Sequence, residues 1–158
     1  MKVKTVLLTL VMLFTFNTIL SSGEVKRSNQ FSIDYYILYE QIVASGVKFP
    51  EIVFAQAVLE SGHFTSSLFE RANNLFGMKL PTKRETTAIG STNGYSMYEN
   101  WHQSVYDYKL WQEFLFYRRG ELNKAEYYAY LDKWYAQDKR YVSKLKNKIK
   151  EFSFVFET

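Results

Sequence analysis

An apolar run, Ala55-Gln56-Ala57-Val58-Leu59, ends on Glu60 and stops at Ser61-Gly62. A carboxyl group in that place can serve as a general acid if it keeps its proton near neutral pH. Further along stands Asn73-Asn74-Leu75-Phe76-Gly77-Met78-Lys79, a polar and aromatic stretch. Its two amides can hydrogen-bond sugar hydroxyls or acetamido groups, or they can simply turn the chain, since Asn tolerates left-handed backbone. An acid beside such a loop suits the cleavage of glycosidic bonds.

The position of Glu60 does not by itself make it an acid. The C-terminal end of a helix disfavours a carboxylate by about 0.3–1 kcal/mol. That is worth roughly 0.2–0.7 pKa unit, too little to lift a glutamate from ~4.3 to ~6. Burial among apolar and aromatic walls must supply the rest. Leu59, Phe64 and Phe76 are the walls the sequence offers.

The surrounding pattern is mostly helical. From Ser32, the residues Ile33, Tyr36, Ile37, Ile42 and Val43 fall on one face, and Gly46 ends the run. Pro50 suits a first helical turn, where its missing N–H costs nothing. Ile52, Val53, Gln56 and Leu59 then follow at helical spacing, which puts Glu60 in the last turn. Ser67 and Glu70 fit a capping box for a third helix, and Asn100 and Gln103 fit one for a fourth that ends at Gly120. Asn123 and Glu126 open a fifth, running to about Trp134. Asp138 is a good cap for the last, with Val142, Leu145 and Ile149 facing inward. Between them, Thr86-Thr87-Ala88-Ile89 and Tyr95-Ser96-Met97-Tyr98 are β-prone and flank the turn signal Asn93-Gly94, which predicts a hairpin with Gly90 at a bulge. The expected fold is α+β and mostly helical, with a small β-hairpin lobe.

Length and composition fit one domain. The chain has 158 residues, 47% of them apolar, enough for a real core. Aromatics reach 18%, and Tyr in such numbers suits a groove that stacks on sugar faces. Lys2 and Lys4, the apolar run Thr5 to Phe16 and the small residues Ser21-Ser22-Gly23 read as an export signal over 1–23, too short for a comfortable bilayer span. Residues 24–31 then form a flexible polar segment, and 32–158 the domain. Without the signal the net charge of +4 falls to +2, which excludes a nucleic-acid-binding balance. The late cluster Lys139-Arg140, Lys144, Lys146, Lys148 and Lys150 reads as a solvated helix face, or as attraction to an anionic wall surface. There is no cysteine, so no disulfide. His63 and His102 share no metal-site spacing, so neither a metal nor any other cofactor is expected.

Four ordered segments resemble glycoside hydrolase family 73, the bacterial peptidoglycan glucosaminidases. They are Ala55 to Gly62, Asn73 to Lys79, Tyr98 with Ser104-Val105-Tyr106-Asp107-Tyr108, and Tyr135-Ala136-Gln137-Asp138-Lys139-Arg140-Tyr141. The resemblance spans about residues 33–152 and implies a lysozyme-like helical body that cuts the β-1,4 bond after N-acetylglucosamine. It puts the general acid at Glu60 and a second carboxylate on the hairpin lobe, with Glu85 the best match and Glu99 the competitor. It implies a functional tyrosine at Tyr135 or Tyr141, with Tyr135 preferred. Asn73, Asn74, Phe76, Tyr98, Tyr141 and His63 are the implied substrate-binding residues. His63-Phe64 stand where the family often has Trp-Gly, so His63 either bonds substrate or fills the tryptophan's place. Gln137 and Lys139 replace the family's usual Thr and Pro.

Two routes follow from the resemblance. Glu85 could activate water and give inversion, with carboxyls ~6.5–9.5 Å apart. Alternatively the substrate's acetamido group attacks while Tyr135 steadies the intermediate. The expected partner is the peptidoglycan glycan strand, acted on by a monomer outside the cytoplasm. Competing readings are a lytic transglycosylase and a non-catalytic wall-binding module.

Overall fold

The computed structural model describes residues 33–135 and 137–157. The expected signal and flexible segment, residue Ser32 and Ala136 of the fourth motif lie outside the described residues. The chain forms six α-helices and one two-stranded sheet among the described residues.

Helix α1 (Tyr35–Ala44) starts at Asp34, whose carboxylate accepts the backbone N–H groups of Tyr36 and Ile37. Its buried stripe is Leu38 and Ile42, flanked by Tyr35 and Tyr39, while Tyr36, Ile37 and Val43 face solvent. The expected face was therefore wrong for those three residues. The helix is apolar nearly all round, and the face carrying Tyr35 and Tyr39 packs both rings edge-on against Phe54.

Helix α2 (Pro50–Glu60) is the core of the molecule. Phe49 enters it with left-handed backbone, and Pro50 occupies its first turn. Every residue from Ile52 to Val58 is buried, as expected of a helix surrounded by others. Helix α3 (Ser67–Ala72) is capped by Ser66, whose hydroxyl accepts the Phe69 N–H. The cap lies one residue before the expected Ser67, which leaves Glu70 out of register for a capping box.

The hairpin pairs β1 (Gly90–Thr92) antiparallel with β2 (Tyr95–Met97), and Thr92 faces Tyr95 across the Asn93-Gly94 turn. Thr86 to Ile89 is not a strand. A two-residue turn requires the residues beside it to pair, so the ladder starts at Thr92, not before Gly90. Glu85 therefore sits in the loop that precedes the hairpin.

Helix α4 (Trp101–Arg119) runs from the Asn100 cap to Gly120. Helix α5 (Lys124–Tyr130) opens on a full Asn123–Glu126 capping box and passes into one π-helical turn, Leu131–Tyr135. Helix α6 (Tyr141–Glu151) packs along α2 with Tyr141 and Leu145 buried. Asp138 does not cap α6 directly. Its side chain accepts the Arg140 N–H, and its carbonyl accepts that of Tyr141, so it forms the turn that leads in.

Candidate active site

Helix α2 delivers Glu60 to the wall of a cleft of about 700 Å³. Phe76, Trp111, Tyr130, Trp134 and Tyr135 supply aromatic surface around it. Burial pushes the Glu60 carboxyl above its usual value of 4.5, opposed by a hydrogen bond from Tyr141 and by the charge of Lys144. The group that most favours the neutral acid is thus the low-polarity wall, as the helix-dipole argument required. Of the three walls expected, Phe76 lines the cleft with Glu60. Phe64 packs instead on Tyr35 and Phe69, and Leu59 on the cluster around Ile52 and Leu131.

The Asn-Asn-Leu-Phe-Gly loop passes close to this carboxyl. Gly77 has φ +64°, and a Cβ there would lie 3.8 Å from Glu60 Oε2. Glycine answers the left-handed backbone; a methyl at 3.8 Å would be in ordinary van der Waals contact. Tyr135 closes the same wall. The π-helical turn carries it into the cleft, where its hydroxyl donates to the Phe76 carbonyl at 2.8 Å. Burial and the Glu60 carboxyl beside it raise its pKa well above 10, so the phenol stays protonated.

Behind Glu60 runs a buried polar chain that the sequence did not reveal. Tyr141 accepts from the Gln56 amide at 3.2 Å. Tyr108 donates to the Gln56 carbonyl oxygen and meets the Tyr127 hydroxyl at 2.6 Å. Gln112 donates to Tyr127, and its two amide ends bond the Lys48 backbone. Helical spacing put Gln56 and Gln112 on apolar stripes, and only the fold joins them.

A second unforeseen feature fixes the loop before the hairpin. Arg84 grips Asp107 with two nitrogens at 2.7 and 3.0 Å, and both side chains are almost wholly buried. Tyr98 adds a 2.6 Å bond to the same carboxylate. Burial pulls the Asp107 pKa up, but the bonds from Arg84, Tyr98 and Thr86 outweigh it and hold the group below 3.8. Arg84 also bonds the Glu85 carbonyl at 2.7 Å.

The other expected site residues divide in two. Phe76 lines the cleft, while Tyr141 meets the acid itself. Asn73 ends α3 in left-handed backbone and donates to the carbonyls of Tyr98 and Glu99. Asn74 is buried, with its amide bonded to Met78 and Ser96. Tyr98 is buried on Asp107. These three shape the site from behind and do not line it. His63 bonds Tyr35 at 3.1 Å and Lys148 at 3.0 Å, away from the cleft lining. Glu85 and Glu99 are exposed and do not line the cleft. Trp111 and Trp134 line it without having been expected there.

Residues 38–154 match a glucosaminidase family model described as mannosyl-glycoprotein endo-beta-N-acetylglucosaminidase. The chain belongs to this family. The matched stretch holds Glu60, the hairpin, Tyr135 and Tyr141, and it makes the chain a glycoside hydrolase by family. The glucosaminidase fold is shared with the catalytic domain of the autolysin Auto from Listeria monocytogenes, at TM-score 0.56 and 21% identity over 78% of this chain and 85% of that one. It is shared also with a C-terminally truncated glycoside hydrolase domain of FlgJ from Salmonella typhimurium, at TM-score 0.53 and 23% identity over 78% of this chain and 98% of that one. Protein bax of Escherichia coli strain K12 is 44% identical over 57 residues, 36% of this chain. That stretch is 21% of the length of bax, so the match spans about a fifth of that curated relative.

Proposed function

We propose that this glucosaminidase hydrolyses the β-1,4 bond after N-acetylglucosamine in peptidoglycan, with Glu60 as general acid. The observation that carries this reading is a half-buried carboxyl, held above its ordinary pKa, on the wall of an aromatic cleft. Flat aromatic faces stack on sugar rings, and a protonated carboxyl on the wall can hand its proton to the bridging oxygen. The reading extends to export, with residues 1–23 removed as a signal, and to action in the periplasm, cell envelope or medium.

For the anomeric carbon, the geometry favours attack by the substrate's own acetamido group. Tyr135 lines the cleft beside Glu60, and its proton is committed to the Phe76 carbonyl. Its lone pairs are left to accept an acetamido N–H of the substrate, which would turn the amide oxygen toward the carbon. Glu85, exposed on its loop, supports direct water activation less well. Product analysis tests all of this. Digested peptidoglycan should carry reducing-end N-acetylglucosamine with the β-anomer retained. Anhydro-muramic ends would make the protein a lytic transglycosylase, and an initial α-anomer would restore Glu85 as the base.

A further inference from the structure

Past Trp111 and Tyr130 of the catalytic cleft lies a second hollow of about 370 Å³. Pro81, Arg84, Trp111 and Tyr130 line both hollows, so the two adjoin. The charged wall of the annex is entirely cationic: Lys83, Arg84, Arg118 and Arg119, with no carboxylate among its lining residues. Arg84 is committed to Asp107. Arg119 lies over the rings of Tyr130 and Trp134 at 5.3 and 5.6 Å, which fixes it at the junction with the cleft. Lys83 and Arg118 are exposed and make no ion pair among the described residues.

The opposite end of the groove differs. Past Leu68 and Tyr95 lies a hollow of about 300 Å³ whose lining carries hydroxyl and amide groups and a single cation, Arg71. The groove is therefore polarised along its length, with one cation lining one end and four lining the other. N-acetylglucosamine carries no charge, and the lactyl carboxyl of the muramyl sugar is an uncharged amide wherever a peptide branch is attached, so the backbone of a peptide-bearing strand gives no use for the cationic end. The anions of a peptidoglycan strand are the carboxylates of its peptide branches, and a guanidinium fork matches a carboxylate in shape and charge.

We propose that the annex binds the carboxylates of the peptide branch on the muramyl sugar next to the scissile bond, so that the enzyme prefers strands that still carry their peptides. This rests on the glycan reading of the cleft. The branch is covalently tied to a sugar already held in the cleft, so its effective concentration is in the millimolar range. Exposed ion pairs, each worth roughly 1.5- to 5-fold, are then enough to set a preference.

The test is calorimetric binding to the full chain carrying Glu60→Gln, so that hydrolysis plays no part. The ligands are a glycan oligomer with its peptides and the same oligomer with its peptides removed and the freed lactyl carboxyls amidated. The peptide-bearing oligomer should bind about tenfold tighter at low salt, and the advantage should shrink as salt rises. Adding Lys83→Glu and Arg118→Glu should bring the ratio of the two affinities to about one; Lys83→Gln with Arg118→Gln should lower it part of the way. Both side chains are exposed, so the fold tolerates these changes. Equal binding of the two oligomers, or a ratio that charge reversal leaves intact, overturns the proposal. So does tighter, reversal-sensitive binding of a polyglycerol phosphate, which would assign the annex to a phosphodiester polymer. If neither oligomer binds, the glycan reading of the cleft falls as well, a result distinct from equal binding.

Discussion

The Gln56 amide lies 3.2 Å from the Tyr141 hydroxyl and donates to it, and Tyr141 bonds the Glu60 carboxyl. Helix α2 thus reaches its own last residue through a side chain of α6. The bond from Tyr141 favours the ionised form of Glu60, so it lowers the pKa that burial raises. Tyr141→Phe should therefore raise the Glu60 pKa further. Activity needs the protonated acid, so the alkaline limb of the pH–rate profile should move to higher pH in the variant. The same change strands a buried Gln56 N–H and should cost about 1–3 kcal/mol in denaturant unfolding. A limb that stays in place or moves to lower pH would contradict the assignment.

Glu60→Gln keeps the shape of the acid and removes its proton. Lysis of purified peptidoglycan should fall by about 10²- to 10⁴-fold. Binding of the glycan and the melting temperature should hold. Wild-type lysis by this variant would remove Glu60 from its role.

Stability should depend on pH in two opposed ways. Glu60 is raised in the folded state, so its charging costs stability: as pH falls through its folded pKa toward 4.5, stability rises. Asp107 is depressed, so its contribution is full above its unfolded value near 3.8 and is lost as pH falls through the lower folded value. Urea unfolding across this range should show both trends. Glu60→Gln should abolish the first and Asp107→Asn the second. Arg84→Met should be harsher, about 3–5 kcal/mol at neutral pH, because it leaves the buried Asp107 charge without its ion partner.

Gly77→Ala should destabilise by roughly 1–2 kcal/mol, the cost of left-handed backbone for a residue with a Cβ. The added methyl would stand 3.8 Å from Glu60 Oε2, in ordinary van der Waals contact, so backbone strain should account for the whole loss. Gly94→Ala also meets left-handed strain, at φ +80°, but no atom lies within 4 Å of its Cβ. Comparing the two by melting and by lysis checks this: both should lose stability, and Gly77→Ala should lose no activity beyond its loss of stability.

Local signals were readable wherever a single residue type has one dominant use. Pro50, Gly120 and the Asn123–Glu126 box mark helix ends that the structure keeps. The hairpin was displaced because β-propensity at Thr86 to Ile89 outweighed, in the reading, the geometric demand of the Asn93-Gly94 turn. Tyr36, Ile37 and Val43 were misjudged because α1 has two apolar faces, and only its packing partner selects one. The Arg84–Asp107 grip and the Gln56–Tyr108–Tyr127–Gln112 chain left no local trace. Their partners are brought together from distant parts of the sequence, and polar residues inside helices give no periodic signal of their own.

The acid and its hydrogen-bond partner enter the ribosome's output far apart. Glu60 is made early, and Tyr141 belongs to α6, the last of the described α-helices. A chain emerging N-terminus first presents Glu60 without the Tyr141 hydrogen bond that lowers its pKa until α6 is made and docks along α2. Until that contact forms, the Glu60 carboxyl lacks the partner that favours its ionised form.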